Sequence, residues 1–387
     1  MFRVAGLNTN NDFSKFLNGK DTKNIESIHS ISFDSRKIKK GELFIPLKGE
    51  HFNGHNFVQQ AVDKGAFALC ENKKLQHKNI ILVENVYLAL LKLCQENIQQ
   101  LQVKTIFITG SFGKTTLKEM LKKSLGNDCH ASHSNQNNQF GIPYTILSCS
   151  SKKKYLIVEC GARKKGDFDE ISDYLKCDIF ILTGIAHNHI ETMGSISNIE
   201  KTKLELLKCL KNKKHFIDGR KLINQDYINN NIKMATKAIH LLGKNIKDTP
   251  FITEPPSGRG NVIKFGGGEI IDQTYNSSPH TLIETTKNLD SKKHILILGD
   301  MAELGGSEKK IHEEILKKLS KFEILVTGKI FGEIAKKKEL SNIIYFRDIK
   351  SFPSKYLLTK LQNNKKLYFK GSRSSRMEIY INALING

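Results

Sequence analysis

The stretch Thr105-Ile-Phe-Ile-Thr-Gly-Ser-Phe-Gly-Lys-Thr-Thr116 constrains this chain more than any other. A β-branched and aromatic run ends at Gly110. Ser111 and Phe112 follow, and Gly113-Lys114-Thr115-Thr116 leads into an apolar pattern of helical period at Leu117, Met120, Leu121 and Leu125. The order is strand, loop, helix, which is the order that binds phosphate. Glycines admit an anion close to the backbone N–H groups, and the helix N-terminus adds partial positive charge. Lys114 can reach terminal phosphates, and the Thr115 hydroxyl can ligate Mg²⁺. An incidental Gly-Lys-Thr at a strand-to-helix turn would not require all these residue types in sequence. The loop is short. In the common spacing G-x-x-x-x-G-K-[ST] the first glycine would fall on Ile108, whereas here Gly110 and Gly113 bracket only Ser111 and Phe112. That argues against ordinary GTPases and AAA-type ATPases.

A chain of 387 residues is too long for one core and predicts two or three domains. The longest apolar runs, such as Ile295–Leu298, are of strand length. A membrane span needs roughly 20 apolar residues, so no stable membrane insertion is expected. The start, Met1 to Gly6, lacks the pattern of a secretory signal. The expected location is the cytoplasm. Seven cysteines are scattered without a C-x-x-C pair, which points to free thiols and not to disulfides or zinc. The formal charge of +22 invites a nucleic-acid reading. The basic residues are mostly dispersed lysines among abundant Asn and Ile, as A·T-rich coding produces, and no nucleic-acid-binding motif is present. A positive field also suits an anionic nucleotide substrate.

Strand-like and helical runs alternate through most of the chain, which implies an α/β fold with covered sheets. Residues 1–83 carry short strands (28–33, 43–46, 67–70, 80–83) and a helix over 57–64. Residues 84–248 hold a helix over 87–101, the phosphate loop, and strands over 155–159 and 178–182. Residues 249–387 alternate again, with strands over 295–298, 323–327 and 366–369 and helices over 309–319 and 377–384. Gly266-Gly-Gly268 reads as a hairpin turn.

Polar groups at strand ends are the candidates for chemistry. Glu159 ends a buried-looking strand, where a carboxylate can hold Mg²⁺ or simply be solvated. His187 and His189 on an extended segment would face opposite ways and so would not share a metal. Lys201, Lys203 and Glu205 read by themselves as a charged, solvated helix face. Asp34-Ser35-Arg36 and the run Lys48 to His55 are donor-rich, though ordinary turns would look the same. In the last segment, Asp272 to Pro279, Gly299 to Gly305 and Lys370 to Arg373 each follow a strand, as expected of a second substrate site.

Taken together these motifs resemble the Mur ligase family, the amide-forming enzymes of peptidoglycan assembly. The resemblance covers nearly the whole chain. It implies a three-domain architecture: an N-terminal UDP-sugar-binding domain (1–83), a central P-loop ATPase-like parallel-sheet domain (84–248) and a C-terminal Rossmann-like domain (249–387). It implies ATP and Mg²⁺ as cofactors. Gly110, Ser111, Gly113, Lys114, Thr115, Thr116, Asn138, Asn224 and Asp272 would contact nucleotide. Thr115, Glu159, His189 and Lys203 would hold metal, with Lys203 carbamylated. Lys114, Lys203 and His189 would carry catalysis. Ser35, Arg36, Lys48, His55, Tyr275, Asn276, Lys370 and Ser372 would bind substrates. Tyr275-Asn276, Gly299 to Gly305 and Lys370 to Arg373 are similar to the branch that adds D-alanyl-D-alanine to a UDP-N-acetylmuramoyl-tripeptide. The implied route is an acyl phosphate, and the expected form is a monomer. A related ligase with another amino acid or dipeptide, or a non-catalytic nucleotide-binding partner of cell-wall enzymes, are the alternatives. Two departures stand out. The family's additional β structure before the helix at 230–242 is nearly absent, and Gly184 and Gln273 stand where Asn and Asp are usual.

Overall fold

Runs of apolar, β-branched residues place three sheets along the chain. The structure, a computed structural model, describes residues 28, 30–49, 52–133, 136–186, 190–222, 227–245, 257–336 and 342–387. It divides into two compact units, Met1–Gly184 with Lys201–Phe251, and Ile185–Glu200 with Ile252–Gly387.

In the first unit, β1 (Ser30–Ser32), β2 (Glu42–Phe44), β3 (Phe67–Cys70) and β4 (Ile80–Leu82) form a four-stranded sheet in the order β1-β2-β3-β4. Helix α1 (Val58–Asp63) buries Val58, Ala61 and Val62. Its first turn, Gly54–Phe57, is a 3₁₀ helix, so the helix expected over 57–64 is shorter than its pattern suggests. Helix α2 (Val86–Leu101) starts where the Asn85 side chain accepts a hydrogen bond from Leu88 N–H. It ends at Gln102, in the left-handed conformation.

The second sheet is five-stranded: β5 (Lys104–Thr109), β6 (Cys129–Ala131), β7 (Tyr155–Glu159), β8 (Ile179–Leu182) and β9 (Phe216–Asp218), in the order β6-β7-β5-β8-β9. All its pairings are parallel. Parallel strands buried on both faces are continuously apolar, and β7 and β8 are buried throughout. Helices α3 (Lys114–Leu125), α4 (Gly141–Leu147), α5 (Asp169–Tyr174), α6 (Ile190–Met193), α7 (Ile196–Leu204) and α8 (Tyr227–Leu241) follow in chain order, α6 and the start of α7 being counted with the second unit. Leu117, Leu121 and Leu125 of α3 and Met234, Ala235, Ala238 and Ile239 of α8 pack on Ile106, Ile108, Ile157, Ile179 and Ile181. Helix α7 begins three residues earlier than Ile199, where its charged pattern first shows. Strand β5 is central, and the chain moves to opposite sides of it in β6–β7 and β8–β9. Its carboxyl end is therefore a topological switch point, where ligands bind in such sheets.

The second unit holds six strands: β10 (Asn261–Phe265), β11 (Gly268–Gln273), β12 (His294–Gly299), β13 (Glu323–Thr327), β14 (Ile343–Tyr345) and β15 (Lys366–Lys370). Their order is β10-β11-β15-β12-β13-β14, parallel except for the β10–β11 hairpin. Alternate residues serve the two faces. Ile295, Ile297, Leu367 and Phe369 pack with helices 354–362 and 378–386, and Leu296, Leu298, Val326 and Tyr368 with helices 308–318 and 329–335. The switch point lies between β12 and β15. There the Asp300 carboxylate accepts hydrogen bonds from Ile330 and Phe331 N–H, each 3.0 Å, and caps the helix Lys329–Ala335. His312, fully buried, accepts the Met301 N–H at Nε2 (2.9 Å) and meets the Glu308 carbonyl with Nδ1 (2.7 Å).

All seven cysteines are buried and unpaired, as their spacing implied. No helix among the described residues is long and apolar enough to cross a membrane.

Two outcomes follow for the second unit. Asp300→Ala removes the cap, and the midpoint of urea unfolding should fall by the equivalent of about 1–2 kcal/mol. Burial pulls the His312 pKa below its usual 6.5. The unfolded chain therefore takes up a proton that the folded one refuses, and stability present above pH 6.5 is eroded as pH falls through and below it. In His312→Gln, the difference in unfolding midpoint between pH 7.5 and 5.5 should shrink.

Candidate active site

The phosphate loop lies at the carboxyl end of β5. Gly110 has φ +147°, and a Cβ there would overlap the Thr183 hydroxyl. Ser111 N–H donates to the Gly184 carbonyl at 2.8 Å, and the Thr183 hydroxyl donates to the Phe112 carbonyl. The strand-end pair Thr183-Gly184 thus moulds the loop. A Cβ on Gly184 would stand 2.5 Å from the Phe112 ring. That contact gives a physical reason for glycine where the resemblance led us to expect Asn. Gly113 caps α3, so Lys114 and Thr115 open the helix and their N–H groups face the loop mouth. Lys114 Nζ donates to the Gly110 carbonyl at 2.7 Å. Ser111 and Thr116 are both buried.

Glu159 ends β7 beside this loop and is 1% exposed, so it is not a solvated strand-end carboxylate. The Thr115 hydroxyl is 3.0 Å from both of its oxygens. Asn137 Nδ2 donates to Oε1 at 2.9 Å, and Lys118 Nζ lies 3.6 Å from Oε2. The Ser132 hydroxyl accepts the Glu159 N–H at 2.9 Å. Lys118 did not stand out in the sequence, and Asn137 lay in an asparagine-rich segment (135–143) similar to one of the family but had no role assigned. Asn137 was one of several asparagines, and Lys118, one turn after Lys114, had only its i,i+4 spacing as a signal. Asn138 is exposed, and its Oδ1 accepts Phe140 and Gly141 N–H (3.1 and 2.8 Å) at the start of α4.

Lys203 is 2% exposed, which overturns its reading as part of a solvated face. Burial, with the charge of Lys114 acting in the same direction, lowers its pKa to about 7. Asp167 and Cys160 oppose the shift. His189 and Asn224 lie outside the described residues. Among the described residues no three His, Cys, Asp or Glu side chains converge as a metal site.

Ser35 and Arg36 follow β1, and Lys48 and His55 follow its parallel neighbour β2, so the two loops leave the same carboxyl end of the sheet. Arg36 is paired with Asp34 at 2.8 and 2.9 Å, which holds the Asp34 carboxyl well below its usual range. Lys64 Nζ donates to the Ser35 carbonyl at 2.8 Å. The backbone at Lys48 pairs antiparallel with that at Asn53, and the Asn53 side chain accepts the His55 N–H. Phe52 then packs on Phe140 with ring centroids 6.2 Å apart, and Tyr87 packs edge-on to the same ring at 6.4 Å.

In the second unit, Asp272 Oδ1 accepts Thr274 N–H (3.0 Å) and its hydroxyl (2.7 Å) after β11. Arg259 stacks 3.8 Å above the Tyr275 ring, a contact the sequence left inside a loop. Lys370 is 4% exposed, and its ammonium donates to the Asn276 carbonyl at 3.0 Å. Burial and the charge of Arg259 lower its pKa to about 7. The Ser372 hydroxyl donates to the Asp300 carbonyl at 2.6 Å. Both side chains thus hold loops at the switch point.

A phosphate loop on a central parallel strand, a buried carboxylate facing its threonine and a second α/β unit define an ATP-dependent ligase class. Residues 108–274 match the Mur ligase middle domain and residues 27–109 match the Mur ligase family, catalytic domain. The chain belongs to the Mur ligase family. It is 29% identical to the UDP-N-acetylmuramoyl-tripeptide–D-alanyl-D-alanine ligase of Bacillus subtilis over 433 residues, covering 92% of this chain and 93% of that one. It is 25% identical to the ligase of the same name from Escherichia coli over 445 residues, covering 97% and 98%. Both spans exceed the 387 residues here, so these relatives carry segments with no counterpart in this chain. MurF from Acinetobacter baumannii has the same fold, with TM-score 0.80, 22% identity and coverage of 98% and 99%. So does MurF from Thermotoga maritima in complex with ADP, with TM-score 0.79, 24% identity and coverage of 94% and 98%.

Gly110→Ala should lower stability by about 2 kcal/mol or more, because the left-handed backbone and the Thr183 hydroxyl both oppose a Cβ. Denaturant unfolding reads the loss, and titration with a fluorescent ADP analogue should show weakened binding.

Proposed function

We propose that this chain joins D-alanyl-D-alanine to UDP-N-acetylmuramoyl-tripeptide with cleavage of ATP to ADP and phosphate. The observation that carries the reading is the buried Glu159 set against Thr115 of the phosphate loop, in a chain whose relatives of that activity match more than nine-tenths of its length.

The substrate carboxylate and the ATP γ-phosphate are both anions, so the site must offset their repulsion. The loop N–H groups and the N-terminus of α3 can bind the phosphates, and Lys114 can stabilise charge on the phosphoryl group in transfer. Mg²⁺ fits this donor set. Glu159 and Thr115 offer hard oxygen ligands in a buried setting, and the bound ion supplies neutralisation of phosphate charge. The family resemblance adds His189 and Lys203 as ligands. A lysine with pKa about 7 is about half neutral amine at pH 7 and increasingly so above it. That form adds to CO₂ and loses a proton to give a carbamate, an oxygen-donor anion. The substrate carboxylate attacks phosphorus and ADP leaves. The dipeptide amine then attacks the acyl phosphate, and the tetrahedral intermediate collapses to amide and phosphate. Ser35, Arg36, Lys48 and His55 are assigned to the UDP-sugar, and Asp272 and Asn138 to the nucleotide. The loops held by Lys370 and Ser372, with Tyr275 and Asn276, are assigned to the peptide substrates.

Phosphate release should depend on D-alanyl-D-alanine, with a pentapeptide product by mass. Release without that dependence, or none with either common tripeptide, would overturn the assignment. Lys114→Ala should lower kcat by about 10²-fold or more. Lys203→Ala should lose activity that high bicarbonate does not restore. A fully active Lys203→Ala would remove the carbamate from the mechanism.

A further inference from the structure

Lys118 is 1% exposed, and the ligase mechanism gives it no task. Its ammonium donates one hydrogen bond and lies between two carboxylates as an ion-pair partner. The Ser132 carbonyl is at 2.8 Å, Glu119 Oε1 at 3.1 Å and Glu159 Oε2 at 3.6 Å. The last is the carboxylate assigned above to the metal. Its other oxygen, Oε1, takes the Asn137 amide, and the Thr115 hydroxyl spans both. Glu159 is therefore surrounded by donors, one of them a full cation in a site closed to water. The nearby formal charges are Lys114, Lys118 and unmodified Lys203 against Glu119, Glu159 and Asp167, which cancel.

While Lys203 is an unmodified lysine, a divalent cation approaching this cradle alone meets no net negative charge. Nucleotide phosphates would bring that charge. We propose that Lys118 is a positioning residue that occupies Oε2 of Glu159 and keeps the site from holding a bare divalent cation, so that the metal enters only with the nucleotide. This rests on the reading of Glu159 and Thr115 as ligands of the nucleotide's metal. Lys118 sets the order of assembly, and the Ser132 carbonyl anchors its ammonium so that the metal need not displace it.

Manganese is the probe, read by the loss of its free-ion electron paramagnetic resonance signal on titration with the full chain. Without nucleotide the wild type should leave Mn²⁺ free, and with ADP it should bind it. Lys118→Gln should bind Mn²⁺ without nucleotide, at least about tenfold more tightly than the wild type, because an adjacent positive charge is gone. Lys118→Met keeps the buried volume and carries the same expectation should the Gln variant fail to fold. Lys118→Arg keeps the charge and should behave as the wild type. Adding Glu159→Gln to Lys118→Gln should abolish the gain, which places the ion at Glu159. Tight Mn²⁺ binding by the nucleotide-free wild type, or no gain in folded Lys118→Gln or Lys118→Met, would overturn the proposal. A wild type that binds ADP but recruits no Mn²⁺ with it would instead remove the metal assignment itself.

Discussion

The buried carboxylate of Glu159 organises the first unit. An ionised carboxylate withdrawn from water is tolerated only with donors on its oxygens. Those donors come from two segments: Thr115 and Lys118 from the first turns of α3, where it leaves the phosphate loop, and Asn137 from the stretch before α4. Its own N–H is fixed by Ser132, just after β6. The requirement to satisfy one group therefore ties together the loop, its helix and the neighbouring strand. The same stretch continues to Phe140, on which Phe52 of the N-terminal sheet rests, and Tyr87 donates to the Gln139 carbonyl. The stretch 137–140 thus touches both the polar centre and the loop after β2.

The second unit solves a related problem with main-chain oxygens. The Asp300 carbonyl accepts the Ser372 N–H and the hydroxyls of Ser372 and Ser375, while its carboxylate caps a helix. Lys370 holds the Asn276 carbonyl from a buried position. Polar residues of the third strand-end motif thus hold the loops of the other two. A side chain that reads as a ligand group can instead be the reason a loop has its shape. The two roles are compatible where the shaped loop presents N–H groups to the ligand.

Local pattern was enough to find the long, continuously apolar strands β5, β7, β8, β13 and β15 and the amphipathic helices α2 and α3. It missed β6, β9 and β14, each three residues long, which exist through their pairing; β1, β2 and β4 are as short but sit within longer strand-like runs that the sequence shows. The phosphate loop was legible because its chemistry is contiguous. The environment of Glu159 was not, because Lys118 and Asn137 reach it through tertiary packing. Lys203 shows the same divide: a Lys–x–Lys–x–Glu run looks solvated until the fold buries one member of it.

The sealed thiols bear on how this protein can be probed. Burial raises the pKa of Cys94, Cys160 and Cys177 well above the usual value and that of Cys129, Cys149 and Cys209 to about 12. Cys70 is also buried. Alkylating reagents need an accessible thiolate, so the native cysteines are poor targets while the chain stays folded. A single cysteine placed on the surface of either unit can therefore carry a dye or spin label without first stripping the native thiols from the cores. The distribution of cysteines, which bears on no step of the chemistry, leaves the enzyme ready for distance measurements between its units.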